Sequence, residues 1–125
     1  MFNETIMKKT ILVLAVFFLT VLTLNAQQPR KTEEIKIKTS AQCGQCKTRI
    51  ETAMAYEKGV VKSKLDVDSK VLTVTYKVGK TSPEAIRKAV AAVGYDADDV
   101  MADAKAYKNL PPCCKKPDDP EHAGH

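Results

Sequence analysis

The sequence predicts an α+β domain in which two helices cover one face of a four-stranded antiparallel sheet. Two patterns carry that expectation: short stretches where apolar and polar residues alternate, and longer ones where apolar residues return every three to four positions. The third is their order along the chain, which runs strand, helix, strand, strand, helix, strand.

Glu33 to Thr39 opens the domain, with Ile35 and Ile37 pointing one way and Lys36 and Lys38 the other, as in a half-buried strand. From Lys47 to Glu57 a helix is expected. Cys46, Ile50, Ala53 and Met54 fall on one side of it, Lys47, Arg49 and Glu51 on the other, and Lys58-Gly59 ends it. Val61, Ser63, Leu65 and Val67 alternate, Asp68-Ser69-Lys70 supplies a turn, and Leu72, Val74 and Tyr76 alternate again, which predicts an antiparallel hairpin. Ser82-Pro83-Glu84 then combines an N-cap, a proline at the first helical position and an acid in the first turn. Ile86, Ala89, Val90 and Val93 form the apolar stripe of this second helix, and Gly94 stops it. Tyr95 to Met101 supplies the fourth strand, against the low strand propensity of Asp96, Asp98 and Asp99. This order is the split βαβ, ferredoxin-like arrangement, with the outer sheet face open to solvent.

The chain has 125 residues, with 20 Lys and Arg against 15 Asp and Glu. Residues 1–26 read as a signal peptide: Lys8 and Lys9 precede an apolar run from Ile11 to Leu24, and Asn25-Ala26 precedes the polar Gln27-Gln28-Pro29. An uncleaved membrane anchor is the rival reading, yet the 14 residues of the run fall short of the roughly 20 that span a bilayer. Cleavage implies a soluble periplasmic or secreted protein in an oxidising compartment. Residues 27–32 are then a linker, 33–101 the domain and 102–125 a tail, which excludes a large multi-domain enzyme. Basic and acidic residues are interleaved, Trp is absent and aromatics make up 6%, so the sequence offers nucleic acid neither a basic stripe nor a stacking platform.

Four cysteines form two pairs, Cys43-Gly-Gln-Cys46 and the adjacent Cys113-Cys114. The first pair falls between the first strand and the first helix, with Cys46 in the helix's first turn. A helix N-terminus favours thiolate through its dipole and unpaired amides, and Lys47 and Arg49 act in the same sense. Gly44 lets the loop close tightly enough to bring both sulfurs round one ion. Two soft thiolates suit Cu(I) or Hg(II), with Zn(II) or Cd(II) feasible if further ligands join.

The segment from about Glu33 to Met101 resembles a heavy-metal-associated domain, the family of small copper chaperones, metal-ATPase N-terminal modules and the periplasmic mercury-binding protein. The resemblance rests on Cys43-Gly-Gln-Cys46-Lys47-Thr-Arg49-Ile50-Glu51, Gly59-Val60, Val71 to Tyr76, Ser82-Pro-Glu-Ala-Ile86 and Val93-Gly-Tyr-Asp-Ala97. It implies that Cys43 and Cys46 are the metal ligands. It also implies that Tyr95, after the second helix, lies beside the metal without binding it. Upstream of Cys43 the chain departs from the family, with Ser40-Ala41-Gln42 where members carry Gly-Met-Thr or Gly-Met-Ser. Ala41 fills less volume beneath the loop than that Met, which leaves the choice of metal open.

A thioredoxin-like dithiol would also sit at a helix start, but that fold needs another strand order, and no aromatic residue flanks Cys43-Gly-Gln-Cys46. A structural disulfide between residues so close in sequence would constrain little.

Past Met101, Ala102 to Leu110 is expected as a short helix ended by Pro111-Pro112, just before Cys113 and Cys114. A fourth strand would carry the tail's start about 20 Å from the metal loop. The residues from Ala102 to Pro112 span at most about 36 Å when extended, so Cys113 and Cys114 reach the loop if the tail doubles back. There they would add a third or fourth thiolate or bridge a homodimer; otherwise they belong to a loose tail. His122 and His125 are expected as solvated tail residues.

The reading is of an exported, non-enzymatic protein that takes a soft metal on Cys43 and Cys46 and exchanges it with a metal-donating or metal-accepting protein such as a membrane transporter. Its rivals are a sequestration protein closed by the tail cysteines and a thiol-disulfide oxidoreductase.

Overall fold

The structure, a computed structural model, describes residues 4–24 and 31–122. It divides into two compact units, one N-terminal to Lys31 and one from Lys31 onward. The described part of the first is the helix α1 (Glu4–Leu24). Among the described residues no helix is long and apolar enough to cross a membrane. The expected cleavage point after Ala26, most of the linker 27–32, and His125 lie outside the described residues.

The second unit runs β1 (Thr32–Lys38), α2 (Gly44–Tyr56), β2 (Val60–Asp66), β3 (Val71–Lys77), α3 (Pro83–Val93) and α4 (Ala104–Lys108), followed by a 3₁₀ turn at Pro112–Cys114. The three strands form one antiparallel sheet in the order β1-β3-β2. Its register places Ile37 opposite Leu72, and Leu72 opposite Leu65. These residues, with Val74 and Tyr76, line the face that packs against Ile50 and Met54 of α2 and Ile86 and Val90 of α3. The other face stays wet, as period-two alternation requires of a sheet covered on one side. A register shift between Val60 and Lys62 sets Val60 opposite Tyr76. Val60 therefore joins the core while Val61, expected inside from strict alternation, is 50% exposed.

The caps of α3 follow the sequence. Ser82 accepts the amide of Ala85, Pro83 opens the helix, and Gly94 closes it in the left-handed region at φ 108°.

The expected fourth strand is the main correction: among the described residues the sheet has three strands, not four. Only Ala97 bridges the edge of β1, at Thr39, and the chain then reverses with mutual backbone hydrogen bonds between Ala97 and Val100. The aspartates explain this. Asp98 sits at φ 51°, and its carboxylate takes the Lys38 amide at 2.8 Å, while Asp96 takes the Ala102 amide at 2.9 Å. Carboxylates that hydrogen-bond nearby amides favour turns over ladders. The tail accordingly starts beside Thr39, four residues before Cys43, and not at the far end of the sheet.

Candidate metal centre

The loop from Thr39 to Cys43 is fastened on both sides. The amide and hydroxyl of Thr39 both donate to the Lys70 carbonyl, at 2.9 and 2.8 Å, and the Ser40 hydroxyl accepts the Asp96 amide at 2.9 Å. Ala41 is fully buried between these anchors. The smaller side chain leaves no bare patch at the loop base: the same core cluster draws in Tyr95 and, from the tail, Leu110 and Cys114.

Cys43 is the N-cap of α2, with extended backbone, and its carbonyl accepts the Lys47 amide at 3.1 Å. Cys46 lies in the first turn, as the spacing predicts, and is fully buried, whereas Cys43 is half-buried. One turn of helix thus brings their sulfurs to 3.5 Å. Lys47 sends its ammonium to Glu51 at 2.7 Å and to the Leu65 carbonyl at 2.8 Å, tying α2 to β2. The start of α2 is itself a fixed positive influence on the pair.

The tail does double back. α4 is capped by Asp103, whose carboxylate accepts the Ala106 amide at 2.9 Å, and it lies against Gly94, where an added Cβ would meet the Ala106 backbone at 3.0 Å. The 3₁₀ turn then sets the sulfur of Cys114 4.0 Å from that of Cys43 and 3.9 Å from that of Cys113. The sulfurs of Cys43, Cys113 and Cys114 all lie within 4.8 Å of one another. Cys113 also donates to the side-chain oxygen of Gln45 at 3.4 Å. Burial, reinforced by the Cys46 thiol, pushes Cys114 well above the ordinary thiol range, and loss of water and the Cys43 neighbour push Cys113 the same way. Crowded thiols hold their protons because adjacent thiolates repel; a soft cation among them reverses that preference.

Tyr95 is fully buried, and its hydroxyl has no hydrogen-bond partner. Burial first, then the thiols of Cys114 and Cys46, push its own ionisation far upward. His122 sends its Nδ1 to the Lys115 carbonyl at 2.7 Å.

The fold and site define a small α+β domain that presents paired thiols at a helix start. Residues 40–96, just under half of the chain, match the family model of the heavy-metal-associated domain. Among solved structures the chain is similar to a CopZ metallochaperone, at 23% identity and a TM-score of 0.50 over 52% of this chain and 98% of that one, a likeness of fold. It is also similar to oxidised MerP from Ralstonia metallidurans CH34, at 25% identity and a TM-score of 0.52 over 54% and 94% of the two chains. A third is the N-terminal domain of a potential copper-translocating P-type ATPase from Bacillus subtilis in its Cu(I)-loaded state, at 25% identity and a TM-score of 0.51 over 54% and 85%. No curated protein sequence matches the chain.

Proposed function

We propose that the chain is an exported carrier of soft metal ions, which captures Cu(I) through Cys43 and Cys46 and passes it on by thiolate exchange. The observation that carries this reading is the 3.5 Å approach of two thiols at the start of α2, within a segment that matches the heavy-metal-associated domain. Two soft sulfurs at one helix start favour Cu(I) or Hg(II) over ions that demand four hard ligands. The Cu(I)-loaded ATPase domain that the chain resembles supports copper. Export is supported by Lys8 and Lys9 ahead of the apolar run.

The burial difference between the two sulfurs assigns them roles. Half-buried Cys43 is the one a partner's thiolate can approach, while Cys46 stays behind as the anchor. In exchange, the incoming sulfur bonds to the ion, one resident sulfur leaves, and that sulfur takes up the proton the newcomer gave up. No electron moves, so the chain acts as a carrier and not a catalyst. The acceptor that suits this chemistry is a membrane transporter with its own thiol pair.

A Cu(I) competition titration of the reduced chain against a colorimetric chelator tests the reading. Wild type is expected to bind one ion tightly and Cys43→Ser/Cys46→Ser to lose it; tight one-to-one binding in the double variant would sink it.

A further inference from the structure

The tail is a folded arm whose contacts fix the position of its cysteines. Ala106 seats on Gly94, and Leu110 enters the core. Lys116 pairs with Asp96 at 2.7 Å and gives its amide to the Tyr107 hydroxyl at 3.0 Å, which in turn donates to Asp119 at 2.8 Å. Lys115, itself buried, pairs with Glu121. These fastenings bracket Cys113 and Cys114 on both sides. Adjacent cysteines in extended chain point apart; here the 3₁₀ turn at Pro112–Cys114 brings their sulfurs to 3.9 Å.

The separations discriminate between coordination numbers. With metal–sulfur bonds of about 2.3 Å, a flat three-sulfur site sets its sulfurs about 4.0 Å apart, and a straight two-sulfur site sets them about 4.6 Å apart. Cys43 to Cys114 at 4.0 Å and Cys113 to Cys114 at 3.9 Å match two edges of the three-sulfur site, and the third, Cys43 to Cys113, lies within 4.8 Å. Cys43 to Cys46 at 3.5 Å is too close for the straight pair and must open to form it. An independent observation points the same way. The buried Tyr95 hydroxyl lacks a hydrogen-bond partner, an unfavourable state for a polar group cut off from water. A metal-bound thiolate on Cys114 would give it a charged acceptor.

We propose that Cys43, Cys113 and Cys114 hold a soft ion in three-sulfur coordination, with Cys43 shared between this set and the Cys43/Cys46 pair. The inference rests on the soft-metal reading above and deepens it. An ion captured by the pair passes to the tail without leaving the protein: Cys113 and Cys114 form two new sulfur–metal bonds and release two protons, while Cys46 gives up one bond and regains one proton. The tail is then a retention device, which raises the coordination number and slows transfer.

The test uses the reduced full chain loaded with one equivalent of Cu(I), in mild detergent to keep the apolar N-terminal helix dispersed. X-ray absorption is expected to count three sulfurs around copper in wild type and two in Cys113→Ser/Cys114→Ser. Release of Cu(I) to an excess of a small dithiol is expected to be faster in that variant by about tenfold or more, the least that even a change outside the ligand shell costs. Two sulfurs in wild type overturn the proposal, whatever the variants do. Three sulfurs retained in the double variant also overturn it, since the third then comes from elsewhere, such as a second copy. Failure of wild type to bind Cu(I) at all is a different result, which removes the soft-metal reading itself.

Discussion

The two cysteine pairs reach the same place by opposite means. Cys43 and Cys46 converge because one turn of α2 carries residue three past the N-cap back over it, so their geometry is local. Cys113 and Cys114 are adjacent, and nothing in their spacing aims them anywhere; a short helix seated on Gly94, a leucine in the core and an ion pair to Asp96 deliver them. The first pair is thus built by secondary structure and the second by tertiary contacts. The first should survive most changes elsewhere in the chain, and the second should be lost by changes far from any sulfur.

The largest expected effect breaks both sets at their shared member. Cys43→Ser should weaken Cu(I) binding by more than about 100-fold, beyond what a change outside the ligand shell costs, as read by chelator competition. Leu110→Ala comes next: if the tail is packed as described, truncating this buried side chain costs about 2 kcal/mol or more in urea unfolding, against almost nothing for a loose tail. Gly94→Ala should cost about 1–2 kcal/mol for the left-handed backbone alone. It should also unseat α4, because the new methyl meets the Ala106 backbone. Tryptic cleavage after Lys108 or Lys115 should then quicken while Cys43 and Cys46 keep their helix-start geometry.

A smaller change separates the tail from the domain. Asp96→Asn removes a partly exposed ion pair worth below about 1 kcal/mol. It should speed hydrogen exchange in residues 104–116 and leave the sheet unmoved. The smallest effect is set by pH. Burial raises the Asp98 carboxyl, but the Arg87 guanidinium and the Lys38 amide outweigh it and hold it below the ordinary 3.8. Asp98 thus contributes stability that is whole above about pH 4 and fades as pH falls through the lowered value. Thermal melts of Asp98→Asn should show a flatter acid slope than wild type, while near neutrality the two slopes agree.

The same division marks what could be read from the sequence. The three strands, both long helices and the caps at Ser82 and Gly94 were legible because each is written within a dozen residues, in periodicity or in a cap. The position of Cys46 in the first turn was legible for the same reason. The fourth strand failed because Tyr95 and Val100 look like strand residues while Asp96 and Asp98 take backbone amides that a ladder needs. Three aspartates in four positions were the signal, and they outweigh the apolar residues beside them. The bulge at Val60 was invisible because a register shift leaves no mark on composition. The docking of the tail was illegible in a stronger sense. Its contacts join residues such as Ala106 and Gly94, or Lys116 and Asp96, across ten to twenty positions with no repeating pattern.

Burial of Tyr95 against the thiols has an optical consequence. The chain holds four tyrosines and no tryptophan, so nothing outshines the phenol emission. Of the four, Tyr56 stands in solvent, Tyr76 is bonded to Glu33 and Tyr107 to Asp119, which leaves Tyr95 as the phenol beside the thiols. If Cys114 takes the ion, the emission of Tyr95 is expected to dim on Cu(I) titration, and the protein becomes its own loading gauge, readable without a dye or a label.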